Sequence, residues 1–279
     1  MGWMDKLYRT WRGNARRKLR HYAAVTGLGL GLAWTQPAPA QGQDVDLLLC
    51  LAVDASSSVS TEEFDLQMRG LAMAFRDPAV VQAIRASGDL GIAVSLIQWS
   101  DSRKQAVAVD WTPVRDDAEA AALAAEIEAA PRYLIGGGTA IGGALEYALR
   151  QLQNSGFQAR RLVIDISGDG RTNQGIQPAD VRDEAVAQGV TINGLAILNE
   201  DPTVDSYYHA NVIGGTGAFV MTANDYAAYG EAIQAKLIKE IAGVPVAGSP
   251  TAAPGPVRAA AWAPGSHSGQ RLSIPGAGS

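Results

Sequence analysis

Five side chains with hard oxygen atoms stand where three segments of the chain change character. They are Asp54, Ser56 and Ser58 after an apolar run, Thr139 after three glycines, and Asp169 after a second apolar run. Positions 54, 56 and 58 alternate, so in an extended turn their side chains point the same way. Carboxylate and hydroxyl oxygens suit Mg²⁺, Mn²⁺ or Ca²⁺ rather than zinc. If the fold brings the five together, the sequence predicts a divalent metal site.

The serines at 56–58 also have a purely structural interpretation, because serine and aspartate are common in turns and at helix starts. Ser60 followed by Glu63 is the pattern of a capping box, in which each residue bonds the backbone N–H of the other. This pair already caps a helix predicted from residue 61, so capping does not account for Ser56 and Ser58. The metal site is therefore the favoured interpretation, with a plain turn as its alternative.

The elements that must position these residues alternate between strand and helix. Apolar runs predict strands at 45–53, 91–99, 105–111, 161–167, 190–198 and 217–223. Helical patterns lie at 61–76, 116–129, 141–152, 178–188 and 225–240. The short polar link at 100–104 predicts a hairpin, so the third strand is antiparallel and lies at an edge. The alternation predicts a doubly wound α/β fold with a mostly parallel six-stranded sheet flanked by helices.

In a doubly wound sheet, ligands bind at the carboxyl ends of the strands. Asp54 follows the first predicted strand and Asp169 the fourth, while Thr139 lies at the start of the helix before the fourth strand. All three segments therefore meet at the same edge of the sheet. The predicted fold supplies the convergence that the metal site requires.

Taken in order, the segments DASSS, GGGTAIGGAL and ISGDG resemble the metal-ion-dependent adhesion site of von Willebrand factor type A domains. The resemblance covers residues 44–241 and matches all five ligand positions of that site: Asp54, Ser56, Ser58, Thr139 and Asp169. It implies a Rossmann-like sheet in the order 3-2-1-4-5-6 with strand 3 antiparallel. It also implies bound Mg²⁺, with Mn²⁺ or Ca²⁺ as alternatives, and a carboxylate from a protein partner that completes the metal's shell.

A narrower resemblance lies in the segments VIDISGDG, TINGLAILNED and VIGGTGAF. They are similar to a bacterial family of exported type A-like proteins with no assigned function. This resemblance supports the same fold and implies export, but it implies no particular activity.

The N-terminal 40 residues are basic, whereas the rest of the chain is acidic. They hold seven of the 23 lysine and arginine residues and one of the 28 acidic residues, so residues 41–279 have a net charge of −11. A segment this acidic repels nucleic acid and anionic membranes and attracts cations. The basic segment, the apolar run at 22–34 and the APA sequence at 38–40 predict a signal peptide over residues 1–40.

Cleavage is expected after Ala40, which predicts a periplasmic or secreted protein without membrane insertion; an uncleaved anchor is the alternative. The folded domain is predicted at 44–241. Residues 242–279 are rich in Ala, Pro, Gly and Ser and lack acidic residues, which predicts a disordered tail. Cys50 is the single cysteine, so no intrachain disulfide can form, and its place in a strand predicts a buried core thiol.

The ligand set favours an exported adhesion or assembly module that binds an acidic residue of a protein partner through the metal. One alternative is a structural or scaffold module with a non-functional site, and a less favoured one is a metal-dependent hydrolase. No G-x-S-x-G or H-E-x-x-H motif is present, and His209 is the only histidine outside the signal and tail. We therefore expect no enzyme, and the oligomeric state is not predicted.

Four further features have both a functional and a structural interpretation. Asp165, inside the fourth strand, is either a support for the metal ligands or a buried structural carboxylate, and Ser167 could bond near the metal. Residues 199–216 form either a plain surface loop or a recognition loop. Trp99, with Asp101 and Ser102, could shape a partner surface at the end of the second strand.

Overall fold

A single mixed sheet organises residues 43–243, the part of the chain that the computed structural model describes. Its strands are β1 (Gln43–Asp54), β2 (Ile92–Trp99), β3 (Gln105–Val114), β4 (Phe157–Gly168), β5 (Val190–Ile197) and β6 (Val220–Ala223). They lie in the order β3-β2-β1-β4-β5-β6. Only the β2–β3 pair among these strands is antiparallel. The predicted sheet order and the antiparallel edge strand are confirmed.

Seven helices in the described residues cover the two faces of this sheet. They are α1 (Thr61–Arg76), α2 (Pro78–Ala86), α3 (Asp117–Ala129), α4 (Ile141–Gln153), α5 (Pro178–Ala187), α6 (Val204–Asn211) and α7 (Tyr229–Ala242). One hydrophobic core joins α1, α2, α3 and α7 to the sheet, and a second joins α4, α5 and α6 to the opposite face. This is the two-sided covering expected of a doubly wound fold.

Strand β1 shows why the apolar run had to be continuous. Leu49 and Leu51 point into the first core, whereas Leu48 and Cys50 point into the second. Successive strand residues face opposite sides, so a central strand with helices on both sides is apolar at consecutive positions, as β1 is from Leu47 to Val53. Cys50 is fully buried, and this burial raises the pKa of its thiol, as expected of an unreactive core cysteine.

The structure differs from the predicted elements in a few places. Helix α2 follows α1 after only Asp77, whose side chain accepts from the Ala79 N–H at 2.8 Å and so starts a new helix. The predicted loop at 199–216 contains α6. This helix was not predicted, because polar neighbours interrupt its short apolar pattern. Helix α7 begins at Tyr229 rather than at Asp225, whose carboxylate instead bonds the Ala228 N–H.

The predicted signal peptide (1–40) lies outside the described residues, as does the predicted tail from residue 244 onward. Helix α7 extends to Ala242, one residue beyond the predicted end of the domain. Within residues 43–243, no helix has the length and apolar character that a membrane crossing requires.

Candidate metal centre

Side chains of the loop after β1 accept hydrogen bonds from nearby backbone N–H groups. Asp54 ends the strand, and its Oδ1 accepts a hydrogen bond of 2.7 Å from the Ser56 N–H. At the other end of the loop, the Ser60 Oγ accepts from the Glu63 N–H at 3.2 Å, and the Glu63 carboxylate accepts from the Ser60 N–H at 2.8 Å. The predicted capping box is confirmed. Ser56 and Ser58 take no part in it and are free for another role.

Strands β1 and β4 are neighbours in parallel register, with Val53 beside Ser167. The loops that follow them therefore leave the same edge of the sheet. The Ser58 Oγ lies 3.0 Å from the Ser56 Oγ and donates to the Asp169 Oδ1 at 3.0 Å. Hydroxyl and carboxylate oxygens from positions 111 residues apart thus form one cluster.

Thr139 joins this cluster from the third segment. Its N–H donates to the Asn173 Oδ1 at 2.9 Å, which fixes the GGGT segment against the loop after β4. A Cβ placed on Gly170 would lie 3.9 Å from the Thr139 Oγ1, so the hydroxyl stands beside the residue that follows Asp169. The structure therefore brings all five predicted residues to one place. Their role as metal ligands remains a prediction.

The electrostatics of the cluster are unusual because it buries two carboxylates. Asp54 and Asp169 are both fully buried, and neither forms an ion pair with any residue between 43 and 243. Burial, with the charge of Asp169 as the second cause, raises the pKa of Asp54 to about 7. Burial also raises the pKa of Asp169. The charge of Arg132 also acts on Asp54, but Arg132 bonds the backbone rather than the carboxylate. Two buried carboxylates that no cationic side chain contacts fit the requirements of a divalent metal site.

Arg132 hydrogen-bonds the backbone of the loop that carries Asp54, Ser56 and Ser58. Its Nη2 donates to the backbone carbonyls of Ala55, Ser56 and Val59 at 3.0, 3.1 and 2.9 Å. The guanidinium is a planar donor group that can serve several carbonyls at once, which an ammonium on a flexible stem does less well. Arg132 thereby fixes the backbone of the candidate ligands. Sequence reasoning missed it, because a single arginine after a helix carries no signal.

Tyr226 and Gln67 also support the site and were not predicted. The Tyr226 Oη donates to the Asp169 Oδ2 at 3.0 Å, and the Gln67 Nε2 donates to the Asp54 carbonyl at 3.1 Å. Both residues are buried. The one available signal was the position of Gln67, three residues after Phe64 and four before Leu71 on the apolar side of the predicted helix, because a glutamine buried there requires a hydrogen-bond partner.

Three buried polar atoms around Gly168 lack a hydrogen-bond partner: the Asp54 Oδ2, the Tyr208 Oη and the Trp99 Nε1. A Cβ on Gly168 would stand 2.9 Å from each of the two oxygens and 3.2 Å from the Trp99 ring. Glycine is therefore required at 168 to leave space for these groups. Trp99 is fully buried, so the expectation that it shapes a partner surface is wrong. Its ring packs beneath the site instead.

Asp165 and Ser167 also have structural roles. The Asp165 Oδ1 pairs with the Lys236 Nζ at 2.6 Å, and both side chains are buried. The Ser167 Oγ is 3.5 Å from the Ala52 carbonyl. Neither residue bonds to any of the five candidate ligands, so the structural interpretation of Asp165 applies.

The hydrolase alternative receives no support from the site. His209 is exposed on α6 and makes no hydrogen bond with the five residues. Within residues 43–243, no group of three or more His, Cys, Asp or Glu side chains is arranged to hold a metal ion.

The sheet order, with helices on both faces and the polar cluster at the carboxyl ends of β1 and β4, gives this chain a von Willebrand factor type A-like, Rossmann-like fold. More particularly, the chain belongs to the family described as protein of unknown function (DUF1194), whose model matches residues 44–245. A comparison with curated proteins finds no match.

Solved structures share this fold at low sequence identity. Proximal thread matrix protein 1 from the mussel byssus aligns with a TM-score of 0.55 and 16% identity, over 71% of this chain and 48% of that chain. The same protein with a zinc-occupied MIDAS motif gives 0.52 and 16%, with the same coverage of 71% and 48%. A von Willebrand factor type A from Catenulispora acidiphila gives 0.47 and 17%, over 70% and 43%. The chain thus spans about half the length of the solved chains named first.

Proposed function

We propose that this chain is an exported protein-binding module that holds a carboxylate of a protein partner through a divalent cation. The cation ligands are Asp54, Ser56, Ser58, Thr139 and Asp169, and Mg²⁺ is the proposed ion. The observation that carries the proposal is the burial of two carboxylates beside the hydroxyls of Ser56 and Ser58, with no ion pair to either carboxylate among the described side chains. The basic and apolar N-terminal segment supports export.

The proposed site leaves room for a partner. Asp54, Ser56 and Asp169 are buried, whereas Ser58 is exposed, so the cluster opens to solvent on the Ser58 side. Two carboxylates neutralise a divalent ion, and hydroxyls add no charge. A further carboxylate can then approach without meeting an excess of negative charge. Mg²⁺ also keeps exchangeable water in its shell, which a partner oxygen can replace.

The first test is metal binding by the purified full-length chain. Titration calorimetry with Mg²⁺ and with Mn²⁺ is expected to show one site per chain. At an ion concentration of one hundred times Kd, the gain in stability is about 2.7 kcal/mol. For a domain of this size, the corresponding rise in melting temperature is roughly 5–10 °C. EDTA should reverse it.

Neighbouring serines provide a matched pair for this test. Ser58→Ala removes a hydroxyl that contacts Asp169, whereas the side chain of Ser57 has no hydrogen bond and is exposed. We expect Ser58→Ala to weaken metal binding about tenfold, which is 1.4 kcal/mol, and Ser57→Ala to leave it unchanged. Absence of divalent-ion binding by the wild-type chain, or an Asp54→Ala variant that binds as well as wild type, would refute the proposal.

Tyr226→Phe is expected to lower metal affinity about tenfold with little change of fold. Tyr226 donates to the Asp169 Oδ2 and so orients that carboxylate. Groups that orient metal ligands typically contribute ten- to hundredfold in affinity. Tyr229→Phe is the matched control, because Tyr229 is also a buried tyrosine but forms no hydrogen bond with Asp54 or Asp169. Calorimetry that shows equal affinities for the two variants would mean that Tyr226 does not position a metal ligand.

A further inference from the structure

One side of the candidate metal centre is apolar. Six large apolar side chains between residues 43 and 243 are exposed, and three of them, Tyr133, Ile135 and Ile176, lie on the two loops next to the GGGT segment and the start of α4. Ile135 is 84% exposed, the highest value of the six. Exposed apolar side chains grouped around a site mark a contact surface more often than single ones do. We refer to Ile135 and Ile176 as the apolar rim.

Backbone contacts hold the apolar rim beside the candidate ligands. Two residues after Ile135, the Gly137 carbonyl accepts from the Ser57 N–H at 3.1 Å, which joins this loop to the serine cluster. Ile176, in the loop before α5, packs against the first turn of α4: a Cβ on Gly142 would meet the backbone of Ile176 and would stand 2.9 Å from its Cγ2. The two isoleucines therefore lie on segments that contact the site directly.

Another side of the centre is acidic. Glu63 and Glu200 share one amide donor, the Asn199 Nδ2, at 3.2 and 3.5 Å. Neither glutamate forms an ion pair with a residue in the described range. The charge of Glu200 acts on Asp169, and that of Glu63 acts on Tyr226, whose hydroxyl bonds Asp169. We refer to Glu63 and Glu200 as the acidic rim.

We propose that the partner segment carries a basic side chain on one side of its metal-bound carboxylate and an apolar side chain on the other. This inference rests on the proposed function, because the metal-bound carboxylate is the anchor between the two rims. The basic side chain faces the acidic rim, and the apolar side chain covers the apolar rim. Residues 41–279 have a net charge of −11, so a segment with several acids is repelled and a segment with one acid beside a base is preferred.

The test uses the full-length chain and immobilised glutamate peptides, measured in Mg²⁺ and in EDTA. One probe places Lys and Leu on opposite sides of Glu, in both orders, with glycine spacers. A second probe has Ser in both flanking positions, and a third has Glu in both. In Mg²⁺ we expect the Lys–Glu–Leu probe to bind about tenfold more tightly than the Ser-flanked probe, with the all-Glu probe weakest. EDTA should abolish all three.

Exposed residues provide matched variants that keep the fold. Ile135→Ser should remove the preference for leucine, whereas Met73→Ser, at an exposed position on α1, should retain it. Glu200→Gln should remove the preference for lysine, whereas Glu184→Gln, at an exposed position on α5, should retain it. Metal binding by calorimetry should be the same in Ile135→Ser, Met73→Ser and Glu184→Gln. Because the charge of Glu200 acts on Asp169, the peptides are compared for Glu200→Gln at an Mg²⁺ concentration that saturates the site of that variant.

The two hypotheses fail in different ways. Absence of metal binding refutes the proposed function. If the metal binds and the wild-type chain holds the Lys–Glu–Leu and Ser-flanked probes equally, the inference about the rims is wrong while carboxylate ligation stands. If the metal binds but no probe binds better in Mg²⁺ than in EDTA, carboxylate ligation and this inference both fail. Mg²⁺-dependent self-association in sedimentation would identify a second copy of the chain as the occupant and overturn the proposed partner chemistry.

Discussion

Replacing Asp169 by asparagine is expected to abolish divalent-cation binding and, at the same time, to stabilise the metal-free protein. Asparagine keeps the shape of the side chain but removes one of the two charges that the ion needs. The loss of a charged ligand should weaken affinity at least about a hundredfold, beyond the effect of the orienting groups. Calorimetry measures the affinity, and melting in EDTA measures the stability of the metal-free protein.

The gain in stability follows from the sign of the pKa shift. Burial raises the pKa of Asp169 in the folded protein, so the ionised carboxylate is less favourable there than in the unfolded chain. At neutral pH this charge therefore destabilises the metal-free fold. Asparagine removes the charge, and its amide can donate to the Ser58 hydroxyl while its oxygen accepts from Tyr226. The metal-free form of Asp169→Asn should therefore melt at a higher temperature than the metal-free wild-type protein.

Asp201→Asn is the matched control on the same edge of the sheet. Hydrogen bonds from Thr203, and then from Arg171, lower the pKa of Asp201 to about 2, so its ionised form is favoured in the fold. This variant should keep full metal affinity and gain no stability. If Asp169→Asn binds Mg²⁺ as wild type does, or if its metal-free form melts lower, the two buried carboxylates do not form the centre that we propose.

The sheet and the candidate ligands were predictable because both are carried by local patterns. A central strand covered on both faces has a continuous apolar run, and DASSS and SGDG follow such runs, while GGGT precedes an amphipathic helix. The order of strands followed from the resemblance. The convergence of Ser58 and Asp169 was then a consequence of parallel strands that end at the same edge.

The supporting residues could not be predicted because their partners are distant in the chain. Arg132 bonds carbonyls more than seventy positions away, and Tyr226 bonds an aspartate 57 positions away. No period or spacing encodes such contacts. Lys236 and Glu240 illustrate the problem, since an i, i+4 pair on a helix is typical of an exposed face. In the structure both are buried, together with Asp165.

The buried position of Lys236 predicts the largest effect on stability. Its Nζ lies 2.6 Å from the Asp165 Oδ1 and 2.5 Å from the Glu240 Oε1, and its side chain is fully buried. Lys236→Met leaves two buried acidic side chains, Asp165 and Glu240, without the cation that contacts both, and breaking a buried pair typically costs about 3–5 kcal/mol. Lys239→Met is the matched control, because Lys239 is exposed on the same helix and only stacks on Phe219 at 3.7 Å. Its expected loss is about 1 kcal/mol or less.

The loss in Lys236→Met should also depend on pH in a defined direction. Burial, and secondly the charge of Asp165, raises the pKa of Glu240 from 4.5 to about 8. Between these values the folded protein holds a proton that the unfolded chain has released, so the stability of the fold falls as the pH rises. Lys236 lowers this pKa, so the pKa of Glu240 is higher in the variant that lacks it. The pH range over which the stability falls then extends further, and the total loss of stability is larger.

Near pH 4 the carboxyl of Glu240 carries its proton in both states, and the variant no longer has to bury that charge. In the wild-type protein, Lys236 then has one anion fewer to pair with. The difference in unfolding free energy between the two proteins should therefore be largest near pH 9 and smallest near pH 4. Urea denaturation at both values measures it. A difference that is independent of pH would mean that Lys236 stabilises the fold by packing alone, because only its charge couples it to the protonation of Glu240.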